Sequence, residues 1–460
     1  MINGQVSHWW SSIGHPTPRP GLAGDIDVDV AIVGGGYTGL WTAYYLKRAR
    51  PELRVAILER RFCGFGASGR NGGWLTNTVT GGLQQYVKEY GREAVTRFQL
   101  AMNDTVDEVI AVTEREGIDA DIIKGGNLEV AYTTAQLGRL EAAYRSDQEW
   151  GGIGGWQRLD ADASRARINV AGTLGGLWSP HTARIQPAKL AHGLADAVAR
   201  LGVEIYESTE VTEIRPHEAV TTQGTARATS IIRATEGFTA GLPGLHRSWL
   251  PMNSSIIVTE KLDAEAWEQI AWAGREVLGD YAHVYMYAQR TADDRIAFGG
   301  RGVPYRWNSQ TDVDGVTQPV TARTLHDLLV RFFPVLHGVD IDHLWSGTLG
   351  VPRDWASTVD YNPSTGLGHA GGYVGTGVSN TNLAGRTLCD LVLGERTELT
   401  TLPWVGHRVR QWEPEPLRWI ATRVIYGAYG AADRNEYRGK RTTSKLATLA
   451  DYVSGRINQH

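Results

Sequence analysis

The stretch from residue 29 to residue 59 constrains the fold more than any other part of the chain. A short, mostly apolar run leads into a turn in which Gly34, Gly36 and Gly39 occupy the glycine positions of G-x-G-x-x-G. A run with apolar residues at helical spacing follows, and a second apolar run ends at Glu59. Strand, glycine turn, helix, strand and acid in this order predict a βαβ unit that binds a dinucleotide.

Each residue type in this unit has a physical reason. Gly34 allows the chain to turn sharply out of the strand, Gly36 allows the backbone to approach a pyrophosphate, and Gly39 allows the helix to pack on the sheet. Glu59, 20 residues after Gly39, is where a carboxylate accepts hydrogen bonds from a ribose diol. An acid at this position disfavours the 2′-phosphate of NADP, but the unit alone does not distinguish FAD from NAD.

A second glycine-rich stretch, RRFCGFGASGRNGGWL, follows Glu59 directly. Its five glycines between residues 64 and 73, without apolar periodicity, exclude an ordinary strand or helix. We predict a loop whose backbone lies close to a flat or charged ligand. The alternative is a flexible surface loop, which the position directly after a cofactor-binding strand disfavours.

The composition excludes several classes of protein. A chain of 460 residues is long enough for two or three domains. A net charge of -4, without a basic stripe, gives no reason to expect nucleic acid as a partner. The two cysteines, Cys63 and Cys389, exclude a disulfide framework and a zinc ribbon and favour a reducing cytoplasm. We find no apolar run long enough for a transmembrane segment and no signal peptide.

Along the chain, βαβ segments alternate with antiparallel strands and helices. This order predicts an α/β fold in which a nucleotide-binding domain, assembled from separated segments, carries a second, inserted domain. Residues 1–27 are predicted to be an irregular arm that packs on the first domain. We predict helices over 83–117, 136–150, 160–167, 187–201, 321–333 and 379–393, and strands over 28–33, 55–58, 126–132, 229–234, 249–260, 283–289, 295–299 and 342–349.

Four segments carry a resemblance to a known family: residues 18–40, 64–73, 283–301 and 371–395. With these segments the chain resembles the D-amino-acid-oxidase-like flavoprotein oxidoreductases, which include glycine oxidase and sarcosine oxidase. The subgroup to which it looks most similar is γ-glutamylputrescine oxidase. The resemblance extends over most of the chain, to about residue 400.

The resemblance implies a Rossmann-like FAD-binding domain of the glutathione-reductase type, an inserted antiparallel-sheet substrate domain and a C-terminal helical segment. The expected FAD-binding segments are 1–81, 171–245 and 342–400. The expected substrate-domain segments are 82–170 and 246–341, and a C-terminal helical extension covers 401–460.

The resemblance also implies FAD as the cofactor, and no metal. Relatives that tether the flavin use a cysteine or a histidine at positions where this chain has neither, so we expect non-covalent FAD. The glycine turn would take the pyrophosphate, Glu59 the ribose, and the backbone of Val211 the adenine. The residues expected to contact FAD are Gly34, Gly36, Tyr37, Thr38, Gly39, Glu59, Arg60, Ala67, Ser68, Asn71, Gly72, Gly73, Val211, Gly375, Thr376, Gly377 and Val378.

For the substrate, the resemblance places Tyr285, Tyr287 and Trp345 in the pocket wall and Trp74 beside the flavin. The alternative is that these four are ordinary core aromatics. Sarcosine-oxidase-like members hold a substrate carboxylate with basic residues where this chain has Trp74 and Ser379, which disfavours an α-amino acid. Arg290 and Arg301 are further candidates for a cation in the site.

The predicted activity is oxidation of the C–N bond of a primary or secondary amine, with hydride transfer to flavin N5 and O2 as the acceptor. One alternative is an amine or amino-acid dehydrogenase that passes electrons to a quinone or a carrier protein. Two others are an NAD(P)H-dependent flavin monooxygenase and a flavoprotein without enzymatic activity. The Trp- and Arg-rich residues 411–445 are either a membrane-surface or subunit contact or, as we expect, helices on the FAD domain with basic residues outward. The oligomeric state stays open.

Overall fold

A computed structural model describes residues 1–300, 305–311 and 314–456. The strands in these residues are β1 (Ile2–Asn3), β2 (Ile26–Val33), β3 (Val55–Leu58), β4 (Trp74–Thr76), β5 (Asn127–Ala131), β6 (Gln157–Asp160), β7 (Gly175–Ser179), β8 (Thr182–Arg184), β9 (Glu204–Tyr206), β10 (Val211–Arg215), β11 (Glu218–Thr221), β12 (Thr225–Arg233), β13 (Leu250–Thr259), β14 (Val277–Asp280), β15 (Met286–Arg290), β16 (Ile296–Gly300), β17 (Ile341–Val351), β18 (Thr358–Asn362) and β19 (Leu367–Gly371). The helices are α1 (His8–Ile13), α2 (Tyr37–Ala49), α3 (Leu83–Glu116), α4 (Thr134–Glu149), α5 (Ala161–Arg167), α6 (Pro187–Arg200), α7 (Ala264–Ile270), α8 (Pro319–Phe332), α9 (Gly377–Leu393), α10 (Leu417–Tyr437) and α11 (Lys445–Ser454).

Most of the described strands belong to two large sheets. Sheet I has the order β10-β11-β12-β2-β3-β9, with β19 also paired to β12 and β18 paired to β19. Its strands β19, β12, β2, β3 and β9 run parallel. Sheet II has the order β1-β17-β13-β16-β15-β14-β5-β7-β6 and is mostly antiparallel. This mixed architecture confirms the predicted α/β class.

Helices cover sheet I, whose strands β2 and β3 end in buried apolar residues. The last four residues of β2 and all of β3 are buried, the pattern of parallel strands enclosed on both faces. Helix α2 buries Leu40, Trp41 and Tyr44 completely and packs on α9. At this crossing Gly385 has no room for a side chain, since a Cβ there would lie 2.7 Å from the Cβ of Trp41.

Sheet II is built on the long antiparallel pair of β13 and β17. Every residue of β13 is buried, and α8 covers the sheet with Leu325, Leu329 and Phe332. The strand predicted from residue 342, at the start of the third FAD-domain segment, is β17 and lies in sheet II. Strand β7, within the second predicted FAD-domain segment, also pairs in sheet II. The remaining segment boundaries stay predictions.

The first residues are more regular than predicted. Strand β1 pairs in parallel with β17, so the arm contacts sheet II as well as the first domain. Helix α1 supports the second glycine-rich stretch. The Ser7 hydroxyl donates to the Gly69 carbonyl at 2.7 Å, and the Trp9 indole donates to the Asn71 carbonyl at 2.8 Å.

The C-terminal segment forms the helices that we expected, but its main ionic contacts go to sheet II rather than to the FAD domain. Arg139 of α4 pairs with Glu436 of α10 at 2.7 Å, and both side chains are buried. The Asp433 carboxylate accepts the backbone N–H groups of His283 at 2.9 Å and Val284 at 3.0 Å, just before β15. Among the described residues, no helix is both long enough and apolar enough to cross a membrane.

Candidate active site

A cavity opens at the carboxyl ends of β2, β3 and β12, where these strands approach β17 of sheet II. Ligands of open α/β sheets bind at this edge. Val33, Leu58 and Ala234 mark the three strand ends, and Leu349 faces them from β17. Of the residues that we predicted to contact the cofactor, those that line this cavity are Gly34, Gly36, Tyr37, Thr38, Glu59, Arg60, Ala67, Ser68, Asn71, Val211, Gly375, Gly377 and Val378.

Four of the predicted cofactor residues are not part of this lining. Gly39 lies beneath this lining. A Cβ at Gly39 would clash with the Gly34 carbonyl, so the absence of a side chain here allows α2 to pack on the glycine turn. Gly72 and Gly73 abut sheet II, against the Tyr287 ring and the Gln289 amide. The Thr376 hydroxyl lies 2.7 Å from that of Thr80. Their contacts with a cofactor stay predictions.

The first turn of α2 meets the second glycine-rich stretch. Gly34 has φ +109°, which favours glycine, and a Cβ there would lie 2.6 Å from the Ala234 carbonyl oxygen. Gly36 precedes α2 without a side-chain cap, and the Tyr37 N–H donates to the Ser68 hydroxyl at 2.8 Å. The helix N-terminus and the loop therefore form one wall of the cavity, suited to an anionic phosphate group.

Glu59 lies at the end of β3, as the motif predicts. Its carboxylate accepts the backbone N–H groups of Gly35 and Arg61, both at 2.8 Å. Burial raises the pKa of Glu59, while these two hydrogen bonds act to lower it. The carboxylate is therefore fixed beside the glycine turn, with lone pairs left to accept hydrogen bonds from a ribose diol.

A second carboxylate in the cavity, Glu236, was missed by sequence reasoning. It follows β12 and accepts backbone N–H groups from Gly372 at 2.8 Å, Gly350 at 3.1 Å and Tyr373 at 3.3 Å. Burial raises its pKa to about 7 against these hydrogen bonds and the nearby Arg233 guanidinium. Its only sequence signal is its place after a parallel strand that borders the motif strand.

The second glycine-rich stretch is held in shape by side chains on both sides. The Asn71 amide donates to the Ala67 and Ser68 carbonyls and accepts the Gly73 N–H at 2.8 Å. Gln289 of β15, also missed from the sequence, donates to the Gly72 carbonyl at 2.8 Å. The loop is a built wall of the cavity rather than a flexible surface loop.

Two of the predicted substrate-side aromatics lie together behind this loop. Trp74 and Tyr287 make an edge-to-face contact with ring centroids 6.2 Å apart. The Tyr287 hydroxyl is 2.8 Å from that of Ser254, and both aromatic side chains are half-buried. A Cβ on Gly72 would lie 2.6 Å from the Tyr287 ring, so this pair adjoins the loop directly.

The other substrate-side candidates lie elsewhere. Trp345 is fully buried, and its indole donates to the Arg70 carbonyl at 2.8 Å, so it packs under the loop and presents no surface to a substrate. Tyr285 lies beside the Arg456 guanidinium, 5.6 Å from its ring centroid. Arg290 is an ion-pair partner of Asp294 at 2.7 Å and stacks over Trp267, so it is not an available cation. Arg301 lies outside the described residues.

One group of potential metal ligands is present among the described residues. Ligand atoms of His283, Asp433 and Glu436 lie within 4.8 Å of one another. Arg139 donates to both carboxylate oxygens of Glu436, and the Asp433 oxygens accept backbone N–H groups. These contacts explain the cluster as a buried charge network that attaches α10 to sheet II.

The residues around the cavity fit FAD. The start of α2, where Gly36 has no capping side chain, suits the pyrophosphate, and the fixed Glu59 carboxylate suits the ribose. The missing side chain of Gly36 allows a ligand to approach the backbone closely. The cavity continues to the start of α9 at Gly377 and Val378, and no side chain caps this helix. The positive end of α9 would lie beside a second anionic or electron-rich group.

Comparisons with known proteins agree with this geometry. The family model described as "FAD dependent oxidoreductase" (DAO) matches residues 29–391. The gamma-glutamylputrescine oxidoreductase of Escherichia coli (strain K12) is 31% identical over 407 residues, which are 86% of this chain and 90% of that protein. The glycine oxidase of Geobacillus kaustophilus (strain HTA426) is 26% identical over 388 residues, 82% of this chain and 96% of that protein.

Solved structures share the fold. The crystal structure of glycine oxidase from Bacillus cereus ATCC 14579 superposes with a TM-score of 0.67 at 20% identity and covers 84% of this chain and 100% of that chain. The glycine oxidase structure from Geobacillus kaustophilus gives a TM-score of 0.66 at 23% identity, covering 83% and 99%.

Proposed function

Because this chain belongs to the FAD-dependent oxidoreductase (DAO) family and has FAD as its cofactor, we propose that it oxidises the C–N bond of a primary or secondary amine. The product is an imine that water hydrolyses, and O2 is the electron acceptor. The names of the relatives, a gamma-glutamylputrescine oxidoreductase and a glycine oxidase, support an amine as the substrate. The FAD is bound non-covalently.

One observation carries the proposal: the glycine-rich loop runs from the cofactor cavity, at Ser68, to the Trp74–Tyr287 pair, at Gly72. Ser68 of the loop contacts α2 at the cavity, while Gly72 contacts the Tyr287 ring. A flavin lying along this loop would face the aromatic pair. Such a pair can receive an alkylammonium group on its ring faces and exclude water from it. The group then loses a proton to solvent to give the neutral amine that is oxidised.

Bound FAD supplies the electron acceptor that takes a hydride from the carbon beside the nitrogen. The chain's part is to hold the neutral amine in line with that acceptor. The Tyr287 hydroxyl, oriented by Ser254, is placed to accept a hydrogen bond from the amine. The positive end of α9 stabilises negative charge that develops on the neighbouring group.

The supporting experiment follows the flavin absorbance of the purified protein while amines and amino acids are added without oxygen. We expect one class of alkyl amines to bleach the flavin bands, and Tyr287→Phe to slow the bleaching about tenfold or more with an unchanged resting spectrum. Tyr361→Phe, a tyrosine that bonds Ser230 at the far end of sheet I, is the matched control. Flavin bands that no amine bleaches would refute amine oxidation.

Admitting air then tests the acceptor. Rapid return of the flavin bands with peroxide formation is the result expected of an oxidase. Slow return, accelerated by a quinone, would favour the dehydrogenase alternative instead. The two cysteines are buried free thiols, which supports our further proposal of a reducing cytoplasmic location.

A further inference from the structure

The two C-terminal helices expose a set of large apolar side chains. On α10, Leu417, Ile420 and Val424 are between 47% and 65% exposed. They are spaced i, i+3 and i+7, so they share one face of the helix. The following turns of the same helix pack on α11 through Ala428, Tyr429 and Ala432. The exposed apolar residues of α10 are therefore not among those that pack this helix on α11.

Helix α11 repeats this arrangement. Leu446, Leu449 and Val453 have the same i, i+3 and i+7 spacing and are between 50% and 57% exposed, and Tyr452 beside them is 74% exposed. Its packing residues are small, since Ala447 and Ala450 meet α10. Each helix therefore exposes large apolar side chains to solvent, in addition to the residues that it packs against the other helix.

The exposed charges within residues 417–456 are all of one sign. Residues 417–456, all of which the structure describes, expose six basic side chains: Arg423, Arg434, Arg438, Lys440, Arg441 and Lys445. Their three acids are not exposed: Asp433 and Glu436 are buried, and Asp451 is half-buried and accepts the Tyr429 hydroxyl at 2.6 Å. The chain as a whole carries a net charge of -4, so this positive surface is a local feature.

The six basic groups are also available. Within the described part of the chain, none of them makes an ion pair. Arg434 of α10 and Arg438, the residue that follows the helix, lie 10 and 14 residues after Val424. At 3.6 residues per turn they are about 80° and 40° from Val424 around the helix axis, next to the exposed apolar residues. We call the exposed apolar and basic residues of 417–456 together the basic–apolar face.

We propose that the basic–apolar face binds the surface of an anionic phospholipid bilayer. Apolar residues interleaved with Lys and Arg on a surface helix are suited to the headgroup boundary, where the side chains enter the acyl region and the cations meet phosphates. Helix α10, with 21 residues, is about 31 Å long and would lie in the plane of the interface. Half-exposed Trp307, in edge-to-face contact with Trp419, adds an aromatic ring near the start of this helix.

The charge pattern disfavours a second copy of the chain as the occupant. A symmetric dimer through the basic–apolar face would place it against itself, and six cations would then oppose six cations without an exposed acid in the segment. The proposal does not depend on the substrate of the flavin site, because none of its residues lines the cavity.

The test is sedimentation of the FAD-loaded protein with vesicles of phosphatidylcholine alone and of phosphatidylcholine mixed with phosphatidylglycerol. We expect sedimentation with the mixed vesicles only, and release when the salt is raised from about 0.1 M to about 1 M, where the screening length falls to about 3 Å. Sedimentation with neither kind of vesicle, or equally with both, would overturn the proposal.

Variants assign the binding to the basic–apolar face. R441S/K445S should lower partitioning into mixed vesicles about 25-fold, at about fivefold for each charge. L449S/V453S should lower it about tenfold or more through lost apolar burial. The matched controls K88S and L100S change an exposed lysine and an exposed leucine of α3 and should bind as the wild type does.

The flavin absorbance spectrum confirms that each variant is folded and loaded. If both double variants bind like the wild type, lipid binding lies elsewhere and the proposal fails. If sedimentation velocity shows a dimer that L449S/V453S dissociates, the face is a subunit contact and the proposal also fails.

Discussion

Two carboxylates, Glu59 and Glu236, border the cavity on either side of β2, and they accept hydrogen bonds from different parts of the chain. Glu59 follows β3 and Glu236 follows β12, and both strands pair with β2. Glu59 accepts N–H groups from Gly35 and Arg61, which lie 24 and 2 residues from it along the chain. The partners of Glu236 are more than 110 residues away along the chain, in β17 and in the turn before α9.

From this difference we expect Glu59 to act in cofactor binding and Glu236 to join two parts of the fold. Glu59 fixes the glycine turn and keeps lone pairs for the ligand, so its loss should act on the cofactor. Glu236 joins the end of β17 in sheet II to the β19–α9 turn of sheet I, so its loss should act on the assembly of the cavity. Burial raises the pKa of both groups, which by itself would not distinguish them.

The largest effect is expected for Glu236→Ala. Three backbone N–H groups lose their acceptor together, which should lower the free energy of unfolding of the FAD-free protein by about 3 kcal/mol. Tryptophan fluorescence during urea unfolding measures this loss. The matched control is Glu93→Ala, an exposed glutamate whose removal should change stability by less than about 0.5 kcal/mol. Equal losses of stability in Glu236→Ala and Glu93→Ala would contradict the role of Glu236 in joining the two sheets.

A smaller effect is expected for Glu59→Gln, and on a different quantity. The amide keeps one acceptor oxygen but loses the charge that strengthens hydrogen bonds to a ribose, so the Kd for FAD should rise about 10- to 100-fold. Titration of FAD-free protein with FAD, followed by flavin fluorescence, measures this change. Glu52→Gln, at an exposed position, serves as the control. If Glu59→Gln instead destabilises the FAD-free protein as strongly as Glu236→Ala, the two carboxylates play the same role.

The pH dependence of stability should be smaller still and specific to Glu236. Its pKa in the folded protein, about 7, lies above the ordinary value of 4.5, so the folded protein binds this proton more tightly than the unfolded chain does. The stabilisation is complete below about pH 4.5 and is lost as the pH rises to about 7. Wild type should therefore lose about 1 kcal/mol or more relative to Glu236→Gln across this range. Parallel urea curves for the two proteins at every pH would show that Glu236 does not titrate there.

The smallest effect is expected for Arg60→Gln. Arg60 lines the cavity, but it is exposed and its contact with Glu210, at 3.5 Å, is an exposed ion pair. Such pairs contribute about 0 to 1 kcal/mol, so the Kd for FAD should change less than about fivefold. A change comparable to that of Glu59→Gln would indicate a direct contact between the guanidinium and the cofactor.

The sequence predicted the parts of the site that depend on neighbouring residues. The βαβ unit lies where the motif placed it, with β3 at the predicted residues and α2 beginning at Tyr37, within the glycine turn, because turn, helix and strand are set by local spacing. Glu236 and Gln289 were missed because their partners come from distant strands, and no local pattern records them. Trp345 was predicted in the pocket wall but is buried in the core, because an aromatic residue type is equally compatible with both places.

Strand β17 was predicted as a strand within the third FAD-domain segment, and the structure pairs it with β13 in sheet II. Its sequence, IDHLWSGTLGV, carries no signal that would choose between a partner in sheet I and β13 in sheet II. That choice depends on the register with β13, from Leu250 opposite Val351 to Thr259 opposite Ile341. Pairing between segments about 90 residues apart is a property of the assembled chain.

The pairing of β1 with β17 also bears on how the protein is made. Ile2 lies opposite His343, so β1 has its partner strand 341 residues further along the chain. At a synthesis rate of about 5 to 20 residues per second, β1 waits about 20 to 70 seconds for β17 to appear. The βαβ unit, whose partners lie within 31 residues, can form long before that. Sheet II is therefore closed at this edge only once β17 has been made, after the cofactor turn has had time to fold.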